Sequence, residues 1–250
     1  MKFAGIIAEY DPFHNGHAWQ LAQAKALGAE RVAVAMSCSL VQRGALPLLP
    51  EAVRTRSALT CGADLVFALP APCACAGAEA FARAGVALLA AAGCDGLVFG
   101  AETPDAALLM EAAELLDSGS YRAALKAQLA GGARSFAAAR QTAAAKLASD
   151  ERVAALLDKP NNNLAVEYCR AIRSLAPRME AYPLPRQGAN HGEALHSAHG
   201  QFASASALRK LWAEGGADAV APYVPEAVFP LYQEAYAAGQ YTDFSAAGRC

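Results

Sequence analysis

An apolar run of six residues, Phe3 to Ala8, stops at a polar turn and is followed by helical spacing of Trp19, Leu21, Ala22, Ala24 and Leu27. The run has the length of a buried strand, and the spacing after it has the period of a helix. The intervening stretch, Glu9-Tyr10-Asp11-Pro12-Phe13-His14-Asn15-Gly16-His17, therefore joins a strand to a helix, with Pro12 ending the strand and Asn15 placed to cap the helix. A junction of this kind predicts a βαβ unit, and the pattern after it continues in that sense. Arg31 to Met36 reads as a second strand, Pro50-Glu51 opens a helix through Leu59, and Asp64 to Leu69 reads as a third strand. Ala74 to Ala92 is expected as one long helix and Cys94 to Gly100 as a fourth strand. Alternation of this sort requires right-handed crossovers and a parallel sheet, so the expected class is α/β.

Residues 105–157 break the alternation with consecutive helices interrupted near Gly119, Gly131-Gly132 and Asp150, which reads as a helical insertion. After it, Lys159-Pro160-Asn161-Asn162-Asn163 is expected to cap a helix over Leu164 to Ser174, and Met179 to Leu184 is a fifth strand. A polar loop over 185–202 leads to a helix start at Ser204-Ala205-Ser206, with Arg209 about a turn later, and Pro225 to Ala238 is the last amphipathic helix.

With 250 residues, 55% of them hydrophobic, the chain can bury a large core. Its apolar stretches are broken well before the ~20 residues of a membrane span, and it opens on a strand pattern without the regions of a signal peptide, so a cytoplasmic location is expected. Seven cysteines on mostly apolar segments suit reduced thiols, and Cys73-Ala-Cys75 has no second pair at zinc spacing. A net charge of −2 argues against a broadly basic nucleic-acid surface and leaves only local groups of arginines.

Two features point to chemistry. A helix beginning at the 9–17 turn offers free N–H groups and a positive dipole end, as an anion needs, and Gly16 permits close approach. His14 and His17, three apart on one side of the first turn, could donate hydrogen bonds to a charged oxygen that moves during reaction. Ser204, Ser206 and Arg209 form a second helix start of the same character. The pair suggests triphosphate chemistry, in which positioning and charge stabilisation do most of the catalytic work. Zinc on His14 and His17 lacks a carboxylate at a standard spacing.

The turn at 9–17 resembles the bacterial tRNA(Met) cytidine acetate ligase family, within the HIGH-motif nucleotidyltransferase superfamily. So, in the same order, do Val41-Gln42-Arg43-Gly44, Ala63-Asp64-Leu65-Val66, Leu97-Val98-Phe99-Gly100, Lys159-Pro160-Asn161-Asn162 and Ser204-Ala205-Ser206-Ala207-Leu208-Arg209. The resemblance implies a Rossmann-like core over residues 1–217, with the helical insertion at about 104–158, and residues 218–250 as the start of a C-terminal helical segment that family members continue. It implies that ATP, with Mg²⁺, activates acetate as acetyl-adenylate and that acetyl passes to N4 of the wobble cytidine of elongator tRNA(Met). The ATP site it implies is Ile7, Ala8, Glu9, Tyr10, Asp11, Pro12, Phe13, His14, Asn15, Gly16, His17, Ala18, Trp19 and Gln20, with Gly100, Asn161, Asn162, Arg186, Ser204 and Ser206. His14, His17 and Arg209 are the expected catalytic residues, Arg209 with Arg43 holding the leaving pyrophosphate. The chain departs from the family at Cys38, Ser39, Leu40, Ala45 and Leu46, and at Ala68, where the family has a carboxylate. A small-molecule adenylyltransferase of the same fold, or a shortened ATP-binding homologue without tRNA modification, are the alternative readings.

Overall fold

The computed structural model describes residues 1–186, 195–197 and 200–244. The expected loop around Gly188 to Gly192, Cys250 and the side chain of Arg43 lie outside what is described. Five parallel strands form the central sheet: β1 (Phe3–Ala8), β2 (Arg31–Ser37), β3 (Leu65–Leu69), β4 (Gly96–Ala101) and β5 (Glu180–Pro185), in the order β3-β2-β1-β4-β5. The helices are α1 (Asn15–Ala26), α2 (Glu51–Thr60), α3 (Ala71–Ala74), α4 (Ala78–Ala91), α5 (Ala106–Asp117), α6 (Gly119–Ala130), α7 (Phe136–Leu147), α8 (Glu151–Leu156), α9 (Pro160–Leu175), α10 (Ala205–Ala219) and α11 (Phe229–Ala237). A short antiparallel hairpin, β6 (Leu195–Ser197) and β7 (Gly200–Phe202), precedes α10.

The strand order reverses between β1 and β4, which makes their C-terminal ends the crevice of the sheet. The crevice is opened by the ladder itself. β1 pairs with β2 over all six of its residues but with β4 only at Ala4–Gly96 and Gly5–Leu97. Beyond that point the Val98 carbonyl accepts a hydrogen bond from the Gln20 side chain of α1 at 3.0 Å, so α1 satisfies a group the sheet has released.

Alternate residues of the strands feed two cores, one on each face. One packs Leu97 and Phe99 against Val86 and Leu89 of α4, Leu109 of α5 and Ile172 of α9. The other packs Ile6, Val34 and Met36 against Leu21 of α1, Leu208 and Trp212 of α10 and Tyr232 of α11. Residues 218–237 thus share a core with β1 and α1, and the Tyr232 hydroxyl donates to the Phe13 carbonyl at 2.6 Å.

The helix expected over Ala74–Ala92 is two helices, because Pro72 opens α3 and the extended Gly77 interrupts the chain before α4. The helix after the insertion begins at Pro160, a residue suited to a first turn, so the three asparagines lie inside the helix and not before it. The last helix starts at Phe229, and α10 is kinked at Gly216, whose φ of 66° fits a residue without Cβ. The three-residue strands of the hairpin are too short for alternation to reveal. Among the described residues no helix is long and apolar enough to cross a membrane, and the six cysteines are free.

Candidate functional site

The cap of α1 is His14, not Asn15. His14 is extended (φ −148°, ψ 176°), and its Nδ1 accepts from the Gly16 N–H at 3.0 Å. His17 Nδ1 in turn accepts from the His14 N–H at 3.3 Å, a reciprocal capping arrangement built from two imidazoles. The rings stack with centroids 3.8 Å apart, and Tyr10 sits edge-on to His17 at 4.8 Å. Burial, and secondly the Arg186 charge, lower the His14 pKa to about 4. Burial, His14 and Arg186 hold His17 well below its usual value as well. Both rings are therefore neutral near pH 7. Because each Nδ1 accepts a backbone N–H, each proton resides on Nε2, and Nε2–H is the donor left for a ligand. A Cβ at Gly16 would lie 2.9 Å from His14 Cε1, so this glycine makes room for the ring pair. Asn15 is buried, and its Nδ2 donates to the Pro222 carbonyl at 3.2 Å, docking the turn on the C-terminal segment.

The earlier part of the motif turns inward. Tyr10 has φ 51°, sparsely populated for a residue with a side chain, and is buried with Phe13. The Asp11 carboxylate accepts from the Leu48 N–H at 2.6 Å and pairs with Arg209 at 3.0 Å; Arg209 also donates to the Asp11 carbonyl at 2.7 Å. Glu9 accepts from the Gln42 N–H at 2.6 Å, and burial raises its pKa. Beneath this turn lies Arg54 of α2, fully buried. It donates to the carbonyls of Leu49 (3.0 Å), Glu9 (2.7 Å), Ser37 (2.6 Å) and Cys38. These bonds tie the ends of β1 and β2 to the 38–50 loop. Nothing in the sequence distinguishes Arg54 from the solvated arginines expected on helix surfaces.

A cleft of about 280 Å³ opens where the strand ends part. Of the expected residues it brings together Ile7, His14, Gly16, His17, Trp19, Gln20, Gly100, Asn161, Arg186 and Ser204. Ala8, Glu9, Tyr10, Asp11, Pro12, Phe13, Asn15, Ala18, Asn162, Ser206 and Arg209 do not line it. Asn162 is buried and joined to Thr103 through both ends of its amide. Ser206 is exposed and bonded to the Ser204 hydroxyl at 3.1 Å. Arg209 reaches Asp11 from the far side of the turn. Sequence reasoning missed the apolar wall: Phe99, Leu164, Tyr168 and Leu184, with the Phe99 and Tyr168 rings 5.4 Å apart. The i, i+4 spacing of Leu164 and Tyr168 was the available signal.

Among the described lining residues Arg186 carries the only formal charge, and no carboxylate is present. The first turns of α1 and α10 both open here, the latter capped by the Ser204 hydroxyl accepting from the Ala207 N–H at 3.2 Å. Two helix N-termini, two imidazole N–H donors and a guanidinium beside an aromatic wall suit an anion attached to a flat apolar group. No group of described side chains is arranged to hold a metal ion, and the described lining residues, without a carboxylate, do not fit a protein-held Mg²⁺.

Known proteins resemble this chain in sequence and fold. The tRNA(Met) cytidine acetate ligase of Syntrophotalea carbinolica is 41% identical over 218 residues, covering 86% of this chain and 52% of the relative. That of Caldanaerobacter subterraneus subsp. tengcongensis is 35% identical over 244 residues, covering 96% and 60%. The crystal structure of Thermotoga maritima TmcAL bound with alpha-thio ATP superposes with a TM-score of 0.86 at 30% identity, over 96% of this chain and 57% of that one. The chain thus spans about half to three-fifths of the length of these relatives. Residues 1–247 match the HIGH Nucleotidyl Transferase family, with the His14-Asn15-Gly16-His17 turn at the mouth of the cleft, and the chain belongs to that family.

Proposed function

We propose that this chain binds ATP in the β1/β4 cleft and acts in the cytoplasm as an ATP-dependent ligase of the tRNA(Met) cytidine acetate ligase type. A carboxylate oxygen of acetate attacks the α-phosphorus, the bond to the bridging oxygen breaks, and pyrophosphate leaves; N4 of the wobble cytidine of elongator tRNA(Met) then attacks the acetyl carbon, AMP departs and one N4 proton is released to solvent. The observation that carries the reading is the stacked His14–His17 pair, held neutral by burial, which lines the cleft together with Arg186 and, among the described residues, with no carboxylate. As preorganised N–H donors the two imidazoles stabilise charge on the phosphate oxygens as it develops. Arg186 and the first turn of α10 oppose the negative charge of the leaving pyrophosphate, while Phe99 and Tyr168 offer an apolar surface to the nucleoside. Mg²⁺ accompanying ATP would lower the charge of the triphosphate, and the described lining residues include no carboxylate to hold it. Arg209 supports the site through Asp11 and the turn.

The test is acetate-dependent ATP–pyrophosphate exchange, followed by nucleoside analysis after incubation with ATP, acetate and total bacterial tRNA. Exchange driven by acetate and formation of N4-acetylcytidine are expected. His17→Ala should lower exchange by about 10²–10³-fold, as loss of a transition-state donor does, with the fold retained. Exchange driven by a phosphate ester in place of acetate points to a small-molecule adenylyltransferase, and ATP binding without exchange to a nucleotide-binding homologue. Full exchange by His17→Ala removes the imidazole pair from the mechanism.

A further inference from the structure

Glu102 follows β4 directly, and its carboxylate is taken up by the first turn of α9. One oxygen accepts from the Asn161 N–H at 3.2 Å and from Asn161 Nδ2 at 2.5 Å, and the other from the Asn162 N–H at 2.7 Å. Pro160 has no N–H to satisfy and the N-cap residue Lys159 makes no side-chain cap bond, so the Asn161 and Asn162 N–H groups are the first-turn donors that Glu102 takes up. Burial works against the charge on Glu102, but its hydrogen bonds outweigh it and keep the carboxyl below the usual range. An ionised carboxylate can only accept, so the Asn161 amide must turn its NH₂ toward Glu102. Asn161 lines the cleft, and the group left to face a ligand is Oδ1, which has no partner among the described residues. Oδ1 can only accept as well. A phosphate oxygen offers it no proton and would meet the like charge of Glu102 close behind.

Building on the nucleotide reading of the cleft, we infer that Glu102 is a positioning residue. It fixes the polarity of the Asn161 amide, so that Oδ1 accepts a hydrogen bond from a hydroxyl or exocyclic amine of the nucleoside, and Asn161 takes no part in holding phosphate. The carboxylate acts through Asn161 and touches no ligand itself. Ribose hydroxyl and base amine share the same chemistry, and analogues separate them.

The experiment is isothermal titration of the full chain with ATP, 2′-deoxy-ATP, 3′-deoxy-ATP and purine riboside triphosphate, which lacks the 6-amine, using the wild type and Glu102→Gln. One of the three analogues should bind the wild type about tenfold more weakly than ATP, the effect of one lost hydrogen bond at a fixed acceptor. In Glu102→Gln the amide is free to flip. ATP should fall to the level of that analogue while the analogue itself is unchanged, so the selectivity disappears. A purely structural role for Glu102 would weaken all four nucleotides together, and that result overturns the inference. So does equal binding of all four by the wild type, or a Glu102→Gln variant that keeps full selectivity. Failure of the wild type to bind ATP at all is a distinct result and removes the nucleotide reading beneath the inference.

Discussion

His14 and His17 are kept neutral by their surroundings, and this has a cost in acid. The folded-state pKa of His14 is about 4, against about 6.5 for a free side chain, and His17 is shifted in the same direction. Between these values the unfolded chain binds protons that the folded chain does not, so the unfolded state gains as pH falls. Stability should therefore be full above pH ~7 and decline as pH drops from about 6.5 toward 4, by up to about 3 kcal/mol for His14 alone. Urea unfolding at pH 7, 6 and 5 measures the slope, and His14→Gln, which cannot take up the proton, should flatten it. An unchanged slope in that variant would mean that the ring is not shielded as the stack and Arg186 imply.

At the scale of elements, the cleft depends on a loop of which no described residue lines it. Arg54 of α2 holds the ends of β1 and β2 and the 38–50 loop through four carbonyls, and Asp11 and Glu9 hold the same loop through the Leu48 and Gln42 N–H groups. Arg54→Met should destabilise the fold by about 3–5 kcal/mol, because the buried carbonyls lose their donors together; Arg54→Lys should recover part of this by keeping the charge without the fork. Chemical denaturation of the two variants gives the comparison, and a Met variant as stable as wild type would show that water can replace the guanidinium. Such ties explain which parts of the molecule were legible beforehand. The five strands and α1 were readable because apolar runs and helical spacing are local patterns. His14, His17, Gly100 and Ser204 were readable because each sits at the start of a helix or the end of a strand, whereas Asn161 and Arg186 came only from the family resemblance. Tyr10, Asp11 and Arg209 were expected at the ligand and instead brace the turn, since adjacency in a motif does not say which way a side chain faces once φ at Tyr10 turns positive. Arg54 left no trace in the pattern, because its partners are main-chain carbonyls brought from three separate segments.

Across the whole molecule, the cleft lies between the two cores that flank the sheet, so a ligand seated there contacts elements from both: α9 from one face, α1 and α10 from the other. Binding is then linked to global unfolding, and ATP at a hundred times its Kd should stabilise the chain by about 2.7 kcal/mol, or very roughly 5–10 °C in Tm for a chain of this size. Arg186 separates ligand binding from folding in this comparison. It carries the only formal charge among the described lining residues and depresses both histidines, so its removal costs the ligand a partner while relieving the free protein. Arg186→Ala should leave the melting temperature of the free chain unchanged or slightly raised at pH 6, where the imidazoles are now easier to protonate, and should cut the ATP-induced shift by at least half. Differential scanning calorimetry with and without ATP at pH 6 and pH 8 measures both quantities. A variant that melts lower without ligand but keeps the full ATP shift would place the role of Arg186 in the fold and would transfer the phosphate contacts to the first turns of α1 and α10 alone.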